Sequence, residues 1–173
     1  TFGVEDINPK ICFLKIQERK AKIVGGLRQG MQSMLKGIDF LNAEAKILSN
    51  EEINVGDKTI KTKFILIACG SRPVELTGFK FDSQKILSSD DILDLKEIPD
   101  SLLIIGGGFI GCEFASLFSN LGTKVTIVEK MPQLLPGEDE EIARKIETSF
   151  KKRGIKVNTN TDASIFNLND FLS

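Results

Sequence analysis

The sequence predicts an α/β fold in which a long helix and a small β-meander precede a parallel βαβ unit. Three observations support this prediction. Apolar residues recur at helical spacing near the beginning of the chain, and short segments with the two-residue period of strands follow them. From Ser101 onward, apolar strands alternate with helical segments, a pattern typical of parallel sheets with right-handed crossovers.

The first predicted element is the long amphipathic helix. Asn8-Pro9 is a typical helix start, with an N-cap followed by proline at the first helical position. Ile16 and Ile23 belong to a series of apolar residues at helical spacing, with charged residues between them. Gly37 is predicted to end the helix, because glycine readily adopts the left-handed conformation at a helix C-terminus.

The meander and a buried strand are predicted next. Short strands are expected at residues 39–48, 51–55 and 58–61. The run from Phe64 to Ala68 is continuously apolar, which predicts a strand buried on both faces. Residues 74–100 are expected to form a connection with one helical turn near residues 90–95.

The last part of the chain carries the βαβ pattern. A strand, a glycine-rich turn, a helix and a second strand follow one another, and a second helix and the start of a third strand come after them. These strands and helices are predicted at residues 102–105, 112–121, 124–129, 138–153 and 155–157.

The composition excludes several kinds of partner and site. Lys and Arg total 23 against 24 for Asp and Glu, so no basic excess is available for nucleic acid phosphates. No apolar run is long enough to span a bilayer, and no membrane partner is expected. Histidine is absent, and the three cysteines form no CxxC or CxxxxC pair, so neither a metal site nor a local redox motif is predicted. Any chemistry is therefore expected to come from a bound cofactor or from groups on another segment.

The glycine-rich turn carries the main functional pattern. Gly106, Gly108 and Gly111 fit GxGxxG between a predicted strand and a predicted helix. The first glycine of this pattern permits a tight turn, the second lets a pyrophosphate approach the backbone, and the third lets the helix pack close to the strand. The helix N-terminus offers free N–H groups and a partial positive charge to phosphates. This context indicates a Rossmann-like dinucleotide-binding unit, a motif that FAD and NAD share.

An acid follows at the place where such a unit needs one. Glu129 ends the second strand of the unit, where a carboxylate accepts hydrogen bonds from the adenosine ribose hydroxyls. A 2′-phosphate there would meet like charge, so NAD is favoured over NADP, a preference that the neighbouring Lys130 softens. The alternative interpretation is that Glu129 is a solvated acid and that the glycines only make a tight turn.

Four segments of the chain resemble the pyridine nucleotide–disulfide oxidoreductases, and most closely the dihydrolipoamide dehydrogenases. They are residues 67–73 (IACGSRP), 106–116 (GGGFIGCEFAS), 125–129 (VTIVE) and 134–142 (LLPGEDEEI). Their order and spacing match the family, although Cys69 stands where threonine is usual and residues 163–173 show no match.

The resemblance implies a domain organisation. In this family an NAD domain interrupts a FAD domain. Residues 1–73 then correspond to the later part of the FAD-binding domain, residues 74–100 to a connection, and residues 101–173 to the first half of the NAD-binding domain. The chain is accordingly expected to be an internal segment of a longer protein.

The resemblance also implies cofactor contacts. NAD contacts are expected from the glycine turn, from Glu113 near the nicotinamide and from Glu129. The turn residues are Gly106, Gly107, Gly108, Phe109, Ile110 and Gly111. FAD contacts are expected from Ala45, Cys69, Gly70 and Ser71. Simpler interpretations are that Glu113 is a first-turn acid favoured by the helix dipole, that Phe109 only packs, and that Cys112 is a small buried residue.

The function implied by the resemblance is hydride exchange between NAD(H) and FAD, coupled to dithiol/disulfide exchange. The intact family protein is expected to be a homodimer, a component of a 2-oxo acid dehydrogenase complex, and cytoplasmic or, in a eukaryote, in the mitochondrial matrix. No catalytic residue is recognised in the chain, so no lipoamide reductase activity is expected from it alone. Two alternatives remain open: a flavin NADH oxidase or ferredoxin reductase without the disulfide, and a truncated, non-catalytic binding module.

Overall fold

The computed structural model describes residues 10–165 and confirms the mixed α/β fold. The helices are α1 (Phe13–Met34), α2 (Phe109–Asn120) and α3 (Glu140–Lys152). The strands are β1 (Ala45–Ile47), β2 (Glu52–Val55), β3 (Lys58–Lys61), β4 (Ser101–Ile105), β5 (Lys124–Val128) and β6 (Lys156–Asn158). Short 3₁₀ turns lie at Asp91–Asp94 and Ala163–Ile165. The helix start predicted at Asn8-Pro9 lies outside the described residues.

The chain divides into two compact units. One unit is Glu18–Pro73, and the other comprises the described residues up to Gln17 together with those from Val74 onward. The first unit contains most of α1 and an antiparallel meander in the order β1-β2-β3. Gly56, with φ +58°, lies in the tight turn that joins β2 to β3, as the turn signal predicts.

The long helix is confirmed, but its apolar residues are not covered. Gly37 has φ +85°, so it supplies the left-handed residue expected just after the helix. No residue of α1 is buried. Ile23, Leu27 and Met31 are 48%, 64% and 67% exposed. In this structure the apolar side of α1 therefore has no core to pack against.

The prediction of a buried strand at Phe64 to Ala68 is wrong. The backbone there forms no strand, and the side chains of Phe64, Leu66 and Ile67 are 88%, 91% and 69% exposed. A strand buried on both faces needs hydrogen-bonded neighbours and covering layers. In the unit Glu18–Pro73 the three meander strands pair only with one another, so this run has no sheet to join.

The second unit is built on a parallel sheet in the order β4-β5-β6. Ile105, at the end of β4, pairs with Val128 at the end of β5, which pairs in turn with Asn158. Helix α2 connects β4 to β5, and α3 connects β5 to β6. The buried core between the helices and the sheet includes Ala115, Phe118, Val125, Ile127, Leu134, Phe150 and Ile155.

Local capping explains where α3 forms. The Asp139 carboxylate accepts hydrogen bonds from the amides of Glu141 and Ile142, so the helix begins two residues later than predicted. Acids in the first turn and lysines in the last turn complement the helix dipole. At the end of α3, the Arg153 guanidinium donates to the Ser116 hydroxyl and connects α3 to α2.

Within residues 10–165, no helix has both the length and the apolar composition needed to cross a bilayer.

Candidate dinucleotide-binding site

The glycine turn leaves β4 at the carboxyl edge of the parallel sheet. Gly106 directly follows the strand and has φ +109°, a conformation that side chains disfavour. Its amide donates to the Val128 carbonyl at 2.8 Å, which continues the β4–β5 pairing by one step. The turn therefore lies beside the end of β5, where Glu129 follows.

Gly111 and Gly108 differ in the space around them. A Cβ on Gly111 would lie 2.1 Å from the Gly106 carbonyl oxygen and 3.2 Å from a methyl carbon of Ile104. Glycine at 111 is therefore required for α2 to approach β4. A Cβ on Gly108, in contrast, would meet no heavy atom within 4 Å. Gly108 is the N-cap of α2 and has no side chain to accept from the first-turn amides, which lack acceptors within the helix.

Helix α2 begins three residues earlier than predicted, at Phe109. The backbone turns directly at Gly108, so Phe109, Ile110 and Gly111 form its first turn. Phe109 and Ile110 are 61% and 58% exposed, so neither side chain is buried by the described residues. Glu113 is exposed and lies beyond the first turn, where the helix dipole has little effect.

Glu129 is buried and hydrogen-bonded. Only 6% of the residue is exposed. One carboxylate oxygen accepts from the Gly107 amide at 2.6 Å, and the other accepts from the Met131 amide at 2.7 Å. Glu129 is therefore not the solvated strand-end acid of the simpler interpretation. Because a carboxylate oxygen has two lone pairs, each oxygen can still accept one more hydrogen bond.

Gly107 packs against Leu134 and Glu129, and the contact with Leu134 was not predicted from the sequence. A Cβ on Gly107 would lie 2.6 Å from Leu134 Cδ2 and 3.2 Å from Glu129 Cβ. The Gly107 carbonyl accepts from the Leu135 amide at 2.7 Å. No local signal predicts these contacts, because they join segments that are distant in sequence. The sequence singled out residues 134–137 only because they belong to a segment that resembles the family.

Cys112 lies beneath the same turn. Its thiol is buried and donates to the Gly107 carbonyl oxygen at 3.3 Å. Burial, together with the negative charge of Glu129, raises the pKa of the Cys112 thiol to about 11. The thiol therefore stays protonated near neutral pH, and its burial agrees with the interpretation of Cys112 as a small buried residue.

The residues expected to contact FAD are exposed and are not brought together by hydrogen bonds. Ala45 lies in β1, and Cys69, Gly70 and Ser71 lie in the irregular segment that ends the same unit. The contact found for the Cys69 thiol is with the carbonyl of Gly70, its neighbour in sequence. The FAD contacts therefore stay a prediction. Among residues 10–165, no group of acids or cysteines is arranged to hold a metal ion.

Comparisons with known proteins agree with this architecture. A family model described as "Pyridine nucleotide-disulphide oxidoreductase" matches residues 4–171. The match includes most of residues 163–173, so the expectation that this tail lies outside the family pattern is wrong. A dihydrolipoyl dehydrogenase of Bacillus subtilis is 42% identical over 85% of this chain, and one of Geobacillus stearothermophilus is 42% identical over 91%.

A solved structure is also similar. The HOCl-induced flavoprotein disulfide reductase RclA from Escherichia coli is 32% identical, with a TM-score of 0.74, over 88% of this chain and 36% of that chain. The two dehydrogenases are likewise covered over 33% and 35% of their length, so the chain spans about a third of the relatives it matches. With a family model matching nearly all of it, the chain belongs to the pyridine nucleotide-disulphide oxidoreductase family.

Proposed function

We propose that the glycine turn at 106–111, the first turn of α2 and Glu129 bind the adenosine diphosphate part of NAD(H). The main support for this proposal is the open space where a Cβ on Gly108 would lie, at the same edge of the sheet as the buried Glu129 carboxylate. Free first-turn amides and the positive end of the α2 dipole suit the diphosphate. Adenosine ribose hydroxyls would donate to the unused lone pairs of Glu129.

The local charges support NAD over NADP. The negative charge of Glu129 opposes a 2′-phosphate on the same ribose. Lys130 is the cation that could offset it, and its ammonium group forms an ion pair with the Asp162 carboxylate at 3.2 Å. The three side chains together therefore retain one negative charge at neutral pH.

For the whole protein we propose a dihydrolipoyl dehydrogenase-type activity, in which hydride passes between NAD(H) and FAD and a dithiol is oxidised. The names of the two relatives described above support this, although the chain spans only about a third of them. Within this proposal residues 1–73 belong to a FAD domain, residues 74–100 to a connection and residues 101–173 to an NAD domain. The proposed FAD contacts are Ala45, Cys69, Gly70 and Ser71, and the residues proposed to lie near the nicotinamide are Glu113 and Phe109.

The chain's own residues limit what it contributes to that reaction. It has no histidine, Cys112 is buried, and the exposed Cys12 and Cys69 are both free cysteines that form no CxxC or CxxxxC pair. Dithiol oxidation is therefore assigned to groups outside these 173 residues. A homodimer, association with a 2-oxo acid dehydrogenase complex and a cytoplasmic or mitochondrial location belong to the same proposal.

A fluorescence titration with NADH tests the proposed site. The chain has neither Trp nor Tyr, so NADH emission is measured against almost no protein signal. Glu129→Arg removes the acceptors of the ribose hydroxyls, and we expect it to weaken binding by about 1–3 kcal/mol. Glu97→Arg makes the same charge change at an exposed position before β4 and controls for the change in charge alone. Equal affinities of the two variants would remove Glu129 from the site.

A further inference from the structure

The loop after β5 packs directly beneath the glycine turn. The Leu135 amide donates to the Gly107 carbonyl oxygen at 2.7 Å. Leu134 has none of its surface exposed, and it fills the space where a side chain on Gly107 would lie. Leu135 has φ +51°, an uncommon conformation for a residue other than glycine, which persists only where surrounding contacts impose it.

A second hydrogen-bond donor to the Gly107 carbonyl oxygen comes from helix α2. The Cys112 thiol, in α2, donates to the Gly107 carbonyl at 3.3 Å. Leu135 and Cys112 are both buried, with 6% and 7% of their surface exposed. The Gly107 carbonyl therefore points into the protein interior.

The orientation of this carbonyl determines the orientation of the next amide. The peptide bond between Gly107 and Gly108 is planar and trans, so its C=O and N–H point in opposite directions. With the carbonyl directed inward, the Gly108 amide points away from the interior, and a Cβ on Gly108, the N-cap of α2, would meet no heavy atom within 4 Å. The preceding amide, that of Gly107, is already used by the Glu129 carboxylate.

We propose that Leu135 and Cys112 are positioning residues, which hold the Gly107–Gly108 peptide so that the Gly108 amide donates to the diphosphate of the dinucleotide. This inference rests on the proposed NAD(H) site and deepens it. It gives the loop after β5 a role in binding, although neither Leu135 nor Cys112 contacts the cofactor.

Two variants of Cys112 test the role of its thiol, with ADP-ribose as the ligand. Cys112→Ala removes the donor, and we expect the dissociation constant to rise about twofold to fivefold, as for loss of one weak hydrogen bond. Cys112→Ser keeps a donor at the same place and should bind within a factor of about two of the wild type. The proposal is overturned if the alanine variant binds like the wild type, or if serine loses as much as alanine.

Nuclear magnetic resonance of the wild-type 173-residue chain provides a test that does not depend on the variants' folding. A coupling across the hydrogen bond between Leu135 ¹⁵N and Gly107 ¹³C′ is expected, and on addition of ADP-ribose the Gly108 amide proton should move downfield. Absence of the coupling contradicts the inference. If the amides of Phe109 to Gly111 move and that of Gly108 does not, only the positioning role fails. If no amide of the turn moves, the proposed function itself fails.

Discussion

At the scale of single residues, the environment rather than the residue type determines the chemistry of Cys112. Its thiol lies among core residues and close to the Glu129 carboxylate, and both conditions disfavour the thiolate. A thiol pKa raised to about 11 makes Cys112 a hydrogen-bond donor throughout the neutral range. This protonated state is the one that the contact with the Gly107 carbonyl requires.

The same shift predicts a pH dependence of stability. The folded-state pKa of Cys112 is raised from 9.0 to about 11, so the folded state holds its proton more tightly than the unfolded state. This contribution is fully present below about pH 9 and is lost as the pH rises toward 11. Thermal unfolding at pH 8 and pH 11 should therefore show a larger fall in Tm for the wild type than for Cys112→Ala. Parallel falls in the two proteins would contradict the assignment.

Some of these residues could be predicted from the sequence and others could not. Gly106, Gly108, Gly111 and Glu129 were candidates because their roles follow from spacing within one strand–turn–helix–strand unit. Leu135 was missed because its part depends on a left-handed backbone conformation and on a hydrogen bond to a distant segment. Neither feature leaves a periodic signal.

At the scale of elements, the two glycines Gly108 and Gly111 at the junction of β4 and α2 are expected to have different roles, one in ligand binding and the other in stability. Gly111→Ala places a Cβ against the Gly106 carbonyl, so we expect a loss of about 1–3 kcal/mol in the free energy of unfolding. Gly108→Ala places a Cβ in open space, so stability should change by less than about 1 kcal/mol. The same Cβ blocks the approach of a diphosphate, and affinity for ADP-ribose should fall at least about tenfold.

Urea unfolding and titration with ADP-ribose of both variants test whether the two glycines have these different roles. The expected pattern is a destabilised protein for Gly111→Ala and a stable protein that binds poorly for Gly108→Ala. A Gly108→Ala variant that binds like the wild type would show that no phosphate approaches this glycine.

Secondary-structure elements were predicted well where the local sequence pattern determines them, and poorly where they depend on pairing with another strand. The strand Lys58–Lys61 was predicted to the residue, since alternation and a turn signal mark it. The apolar run at 64–68 reads as a buried strand, yet a strand also needs neighbours to pair with. Its isolation in the unit Glu18–Pro73 could not be read from the run itself.

At the scale of the whole molecule, the two units differ in how completely they bury their apolar residues. The parallel-sheet unit has a continuous core that includes Phe118, Ile127 and Leu134. In the unit Glu18–Pro73, α1 has no buried residue, and Phe64 and Leu66 are almost fully exposed. The proposed NAD(H) site lies wholly within the better-packed unit, so its residues are held in place by that core.

Binding of a dinucleotide at this turn is tested most directly by mapping amide shifts across the ¹⁵N-labelled 173-residue chain during titration with ADP-ribose. We expect saturable shifts at residues 106–111 and 129–131, where the turn and Glu129 meet. Amides on the exposed side of α3 should stay unchanged and provide the internal control. Saturable shifts confined to other parts of the chain, or none at millimolar ligand, would contradict the claim that this turn binds a dinucleotide.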